Sequence, residues 1–168
     1  MRIAVLADTH LSLDLARKAL RQAGPVDEVF HLGDFYADAL ALAKEIKTPL
    51  AAVRGNTDFE EGPNDLVLER LGHRLFLTHG HYYDVPETLD RLVAAARLHH
   101  CSVALFGHSH LPLIERRSGL LLVNPGSLFF PEANKTFAIL DLLPGQAKAR
   151  IISLNGLSPE GISHAHHQ

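Results

Sequence analysis

Two hydrophobic rhythms alternate along the first third of the chain. Short apolar runs bounded by turn residues predict strands over residues 2–7, 28–32 and 49–53, and helical spacing predicts helices over residues 12–23 and 36–46. Ser12 stands where an N-cap belongs, and Gly24-Pro25 closes the first helix. Such alternation is what a parallel α/β sheet requires. The rhythm then changes. Residues 66–70 and 74–78 flank Leu71-Gly72-His73 as a hairpin, and Pro86 suits the first turn of a helix reaching about His99, with Asp84 or Val85 before it. Residues 102–106 form another buried strand. The remainder is mostly strand: residues 112–117 and 120–123 flank Ser118-Gly119, and residues 136–142 and 147–154 flank Pro144-Gly145. An α/β protein built as a two-sheet β-sandwich flanked by helices uses all of these elements.

A chain of 168 residues with 46% hydrophobic content supplies one core and too little for two. Residues 1–157 read as that single domain, and residues 158–168, with Ser163-His164-Ala165-His166-His167, as a polar, His-rich tail. The net charge of -3, the lack of Trp and the lack of a Lys/Arg cluster argue against a general nucleic-acid-binding surface, while nucleic acid stays open as a substrate. Cys101 stands alone, which excludes an internal disulfide and fits a small buried thiol in a reducing compartment. No apolar stretch is long enough for a bilayer and no targeting segment precedes Asp8, so the expected location is the cytoplasm.

Candidate chemistry lies where apolar runs end. Asp8-Thr9-His10, Gly33-Asp34, Gly55-Asn56-Thr57-Asp58, His79-Gly80-His81 and Gly107-His108-Ser109-His110 each carry metal-ligand residue types. Carboxylate, amide oxygen and imidazole together suit first-row divalent metals, and this many groups can hold two ions. Asp8, Asp34, Asn56, His79 and His108 all fall just past the C-terminal end of an expected strand, the edge at which open α/β sheets bind ligands. Gly33, Gly55, Gly80 and Gly107 provide permissive backbone beside them. Any one of these motifs alone is more often a cap or a satisfied polar residue. Their joint order carries the signal.

The series Asp-x-His, Gly-Asp, Gly-Asn-x-Asp, His-Gly-His, Gly-His-x-His resembles the calcineurin-like metallophosphoesterase superfamily. Within it, the short single-domain bacterial and archaeal phosphodiesterases, related to the retromer scaffold subunit, look most similar. The resemblance runs from residue 2 to about residue 131 and takes in Asn124-Pro125-Gly126-Ser127. It implies the four-layer αββα metallophosphoesterase fold and two divalent ions, manganese first, with iron, zinc or nickel also suited. It implies that Asp34 bridges the ions, that Asp8, His10 and His110 complete one site, and that Asn56, His79 and His108 complete the other. Hydroxide formed between the ions would attack phosphorus in line, on a small phosphodiester substrate, with Asp34, Asn56, Asp58 and His81 as the catalytic set. No protein nucleophile is required, in keeping with the lack of a Gly-x-Ser-x-Gly elbow.

The chain departs from that family twice. Many members carry a histidine where this chain has Thr57, and a threonine hydroxyl is a poor general acid. Asp58 is then expected to orient a neighbouring histidine or another supporting group, and His81 is the nearest spare proton donor or substrate contact. Relatives often place an arginine after proline where this chain reads Pro131-Glu132, an acidic residue that would not help bind phosphate.

Twelve histidines invite over-assignment. His31 reads as a packed core residue supporting a loop, His73 as a solvated turn residue, and His99 and His100 as the last turn of a helix, suited to its dipole. Leu128-Phe129-Phe130 is either a patch for homo-oligomer formation or cover for a core edge, with the core reading preferred. Two rivals to the enzyme reading remain: a catalytically silent protein-binding scaffold of the same fold, and a nuclease or cyclic-nucleotide phosphodiesterase using the same two-metal chemistry.

Overall fold

In a computed structural model, which describes residues 1–129 and 134–154, ten strands form two five-stranded sheets. In the first, β1 (Arg2–Leu6), β2 (Glu28–His31) and β3 (Leu50–Ala52) run parallel. β9 (Thr136–Leu143) joins β1 antiparallel and β10 (Gln146–Ser153) closes that edge. In the second, β5 (His73–Thr78), β6 (Val103–Leu105) and β8 (Leu120–Asn124) run parallel, with β4 (Asp65–Arg70) and β7 (Leu113–Arg117) antiparallel at the two edges. Each sheet therefore has a parallel trio. Parallel neighbours need crossovers, and α1 (Leu13–Ala23), α2 (Tyr36–Glu45) and α3 (Asp90–Leu98) supply three of them.

The runs are unbroken because both faces of the central strands are covered. Ile3, Val5, Phe30 and Leu32 point between the sheets and meet Leu75, Leu77, Val103, Leu105, Leu121 and Val123 from the other side. Ala4, Leu6, Val29, Phe137 and Ile139 point outward, where the small Ala16, Ala19 and Ala23 of α1 and Leu42 of α2 cover them. Phe76, Ala104 and Leu122 pack likewise on Leu92, Val93 and Ala96 of α3. The result is the expected four layers, helix, sheet, sheet, helix. Far from the C-terminal strand edge, Arg70 at the end of β4 donates from Nε and Nη2 to the two oxygens of Glu28 at 2.8 Å each, tying one sheet to the other.

Local chemistry moves three expected features. The first hairpin turns on Leu71-Gly72 alone, both at positive φ, so His73 enters β5. It is buried, not solvated, and its Nε2 lies 2.8 Å from the Leu143 carbonyl. The third helix starts at Asp90, not at Pro86. The N–H groups of Glu87 and Thr88 both turn back to the Asp84 carbonyl, and the Thr88 hydroxyl accepts from Asp90 N–H at 3.2 Å. Ser12 occupies the N-cap position of α1 through its carbonyl, but its hydroxyl makes no cap bond. Residues 155–168, including the tail, lie outside the described residues, as do Phe130 and Glu132. Among the described residues no helix is long and apolar enough to cross a membrane.

His31, the last residue of β2, is fully buried and joins two loops. Its Nδ1 accepts from Gly33 N–H at 3.2 Å, which leaves Nε2–H for the Thr9 hydroxyl at 3.1 Å. Burial pushes its pKa down to about 4 against the ordinary 6.5, although Asp8 and Asp58 pull the other way. The unfolded chain therefore takes up this proton first. His31 costs no stability above about pH 6.5 and lowers it progressively from there to about pH 4. In urea unfolding with chelator present, the native chain should lose roughly 3 kcal/mol more than His31→Gln across that window. Equal pH slopes for the two proteins would show that the fold tolerates the imidazolium.

Candidate metal centre

All the ligand-type residues leave the sandwich at one edge, because parallel strands share a direction. Asp8 follows β1, Asp34 follows β2 and Asn56 follows β3, while His79 follows β5 and His108 follows β6. Backbone bonds extend the ladders into these loops: Asp8 N–H to Gly33 C=O at 3.0 Å, Thr9 N–H to Asp34 C=O at 3.1 Å, and Gly107 N–H to His79 C=O at 2.9 Å. Each parallel trio thus delivers part of the site, and the parts meet over the seam between the sheets.

One group of donors is compact. Ligand atoms of Asp8, His10, Asp34 and His110 all lie within 4.8 Å of one another, with His110 Nε2 3.3 Å from Asp8 Oδ1 and His10 Nε2 3.5 Å from Asp34 Oδ2. A second group adjoins it. His79 Nε2 lies 3.4 Å from Asp34 Oδ1, 3.1 Å from Asn56 Oδ1 and 3.9 Å from Asp8 Oδ1, and the His108 ring centroid is 5.0 Å from that of His79. Asp34 consequently turns one oxygen toward each group. His108 also donates its backbone N–H to Asp8 Oδ2 at 3.3 Å.

This donor set fits a divalent cation. Asp8 Oδ1 and His10 Nε2 are buried without a hydrogen-bond partner, and an orphaned carboxylate oxygen in such a place is costly unless positive charge meets it. His79 directs Nδ1 to the Leu32 carbonyl at 2.8 Å, an acceptor only, which aims its Nε2 at the two carboxylates. Burial pushes the His79 pKa down, yet Asp34 and Asp8 outweigh it and raise it overall. The pull they exert on a proton there is the pull a cation would feel. Burial pushes Asp34 up in turn, and the His79 imidazole with the Thr57 N–H overcomes it, holding the carboxyl well below the usual range. Burial and the neighbouring His79 lower the pKa of both His81 and His108, favouring the neutral imidazole that metals bind.

The surrounding residues are backbone braces. Asp58, expected to orient a histidine or other supporting group, accepts only from backbone: Phe35 and Tyr36 N–H on one oxygen and Gly55 N–H on the other, at 2.7–2.9 Å. It clamps the loop of Asn56 to that of Asp34. A Cβ on Gly55 would stand 2.0 Å from Asp34 Oδ1, and one on Gly107 would stand 2.9 Å from Asp8 Oδ2, so these positions admit glycine because the carboxylates need the room. Asp8, His10, Asp34, His108 and His110 themselves sit at φ between 43° and 69°, a strained backbone for side-chain-bearing residues. Sequence reasoning assigned no task to Asn124 or Ser127. Asn124 donates to Gly107 C=O and to the Ser109 hydroxyl at 3.0 Å each, and the Ser127 hydroxyl donates to Asp8 C=O at 3.3 Å. The matching Asn-Pro-Gly-Ser segment was the available signal. His81 borders the second group, its ring 5.5 Å from His79 and 6.2 Å from His108. Leu128 is core beside α1, and the Phe129 ring packs 4.5 Å from that of His10.

With this geometry in view, comparison with known proteins is direct. Residues 1–144 match the calcineurin-like phosphoesterase superfamily domain. The chain is 33% identical over 168 residues to Probable metallophosphoesterase YsnB of Bacillus subtilis, covering 98% of each, and 34% identical over 170 residues to Phosphodiesterase YfcE of Escherichia coli, covering 84% and 88%. Among solved structures, zinc-complexed Vps29 of Entamoeba histolytica shares the fold at a TM-score of 0.71 and 18% identity, over 91% of this chain and 99% of that one. The family match spans every loop of the donor cluster, and the chain therefore belongs to the calcineurin-like phosphoesterase superfamily, as a metal-dependent phosphoester hydrolase.

Proposed function

We propose that this protein is a phosphodiesterase working with two divalent ions, manganese first among them. The observation that carries the reading is Asp34, one oxygen facing His10 and the other facing His79. A single carboxylate placed between two donor groups could serve both. Asp8, His10 and His110 would join it around one ion, and Asn56, His79 and His108 around the other. These residues would hold ions whose chemistry would be to acidify water for in-line attack on phosphorus and to set positive charge against the phosphoryl oxygens.

The chain's own residues arrange the rest. The Leu32 carbonyl fixes the His79 ring, Asp58 holds Asn56 in place by gathering Gly55, Phe35 and Tyr36, and Asn124 and Ser127 steady the loops of His108 and Asp8. His81, with a buried Nδ1 lacking a hydrogen-bond partner and its neutral form favoured, borders the second donor group and is suited to substrate contact. Thr57 is exposed, its backbone N–H and its side chain both serve Asp34, and a threonine hydroxyl is too weak an acid to help the leaving oxygen. Esters with good leaving groups are the natural substrates of such a site. The free, buried thiol of Cys101 suits the reducing cytoplasm in which this reading sets the protein.

Chelator-stripped protein should be inactive on bis-p-nitrophenyl phosphate and recover with manganese. Asp34→Asn should fall by about 100-fold or more, beyond the loss typical of a residue supporting a ligand, and should retain less metal by elemental analysis. Full turnover by Asp34→Asn with normal metal content would refute the bridging role. Activated diesters should outpace alkyl phosphomonoesters, and Thr57→His should raise turnover of esters with poor leaving groups by about 10- to 100-fold; equal rates on both classes in the native chain would remove the argument. Gly55→Ala should weaken manganese binding while the circular dichroism of the sheets persists, and unaltered affinity would mean that Asp34 has room the structure does not suggest.

A further inference from the structure

Four large apolar side chains stand in water directly after four residues of the site. Leu11 follows His10, Phe59 follows Asp58, Tyr82 follows His81 and Leu111 follows His110, at 74%, 97%, 59% and 69% exposure. Leu11, Phe59 and Leu111 lie in three separate loops and Tyr82 in the one-turn 3-10 helix His81–Tyr83, so no single helix stripe or strand face accounts for them. Single exposed apolar residues are ordinary. The same offset from four site residues is a pattern: each stands one peptide bond from a residue of the site, and exposed apolar side chains gathered beside a polar centre mark a binding site.

Aromatic packing carries the rim inward on two sides. Beside His10 and His110, the Phe129 ring lies 4.5 and 6.2 Å from the two imidazoles, and Phe35 lies 5.5 Å from His10. Beside His79, the Tyr82 ring centroid lies 4.0 Å from that of His81, the two rings tilted at 40°, and His81 is itself 5.5 Å from His79. An apolar wall therefore flanks each donor group. A phosphodiester has two ester arms leaving phosphorus in different directions, and two walls match two arms. Charge points the same way: residues 8–11, 55–61, 79–82 and 107–111 hold no Lys or Arg, and Glu60 and Glu61 follow Phe59. A singly charged diester tolerates that surface, whereas a polyphosphate would be repelled.

We infer that this rim binds the ester groups of the substrate, and that the substrate class is a phosphodiester with aromatic or bulky apolar groups on both arms. The inference rests on the phosphodiesterase reading for the chemistry at phosphorus, and its test reads binding. Calorimetric titration of the manganese-loaded protein should find diphenyl phosphate bound about tenfold or more tighter than dimethyl phosphate. The Tyr82→Ser/Leu111→Ser double variant should lose that advantage, and Leu71→Ser, at the hairpin on the opposite end, should keep it. Equal or undetectable affinities, or an advantage that survives the double variant, overturn the inference. So does a sedimenting dimer that the double variant abolishes, because the rim would then be cover for a second copy of the chain. Failure of the phosphodiesterase reading alone would look different: no metal-dependent turnover of bis-p-nitrophenyl phosphate, with the affinity difference intact.

Discussion

Asp8 and Asp34 keep their carboxylates almost wholly out of water, close to one another, and the rest of the structure answers to the cost of doing so. Two like charges in such a place repel, and each also loses hydration. The offsets are visible around them: the His79 imidazole, the backbone N–H groups of Thr57 and His108, and donor geometry suited to divalent cations. Apolar replacements of similar volume would fold with less strain. Carboxylates at these two points make physical sense only if positive charge is brought to them.

That requirement explains why the site straddles two sheets. A single parallel trio sends only three loops to one place, and the compact donor group already draws His110 from the second sheet. Stacking a second trio on the first brings His79, His108 and His110 to the Asp8, His10, Asp34 and Asn56 of the first. The arrangement is held from both ends, by the apolar layer between the sheets and by the Glu28–Arg70 pair on the far edge. Left-handed backbone at five ligand-type residues is the residual strain of bending so many chains toward one point.

Most of this was legible in the sequence because the coding is local. A buried parallel strand is a continuous apolar run, and the residue after it necessarily lies on the ligand-binding edge, so Asp8, Asp34, Asn56, His79 and His108 could be placed before any coordinates. What escaped reading depended on partners remote in sequence or on backbone sign. His73 looked solvated because its acceptor, the Leu143 carbonyl, is seventy residues away. The late start of α3 follows from a turn closed on Asp84, where proline chemistry alone favoured an earlier one. Asp58 carries the same carboxyl as a general acid would, and only its three backbone donors distinguish a clamp from a catalyst. Asn124, which ends β8, and Ser127 lie in the Asn-Pro-Gly-Ser segment that the sequence offered as a signal, but the backbone groups they hold, from Gly107 and Asp8, are remote in sequence.

The first and last described strands share a sheet: β1 is flanked by β2, made soon after it, and by β9, made more than a hundred residues later. During synthesis β1 must therefore leave the ribosome with one edge open and wait until β9 has been made. The loop of Asp8 waits with it, since Ser127 and Leu128 hydrogen-bond to the carbonyls of Asp8 and Ala7. The first ligand-type residue to be translated is among the last to be fixed, so a truncated product retains the early motifs without the means to hold them in register.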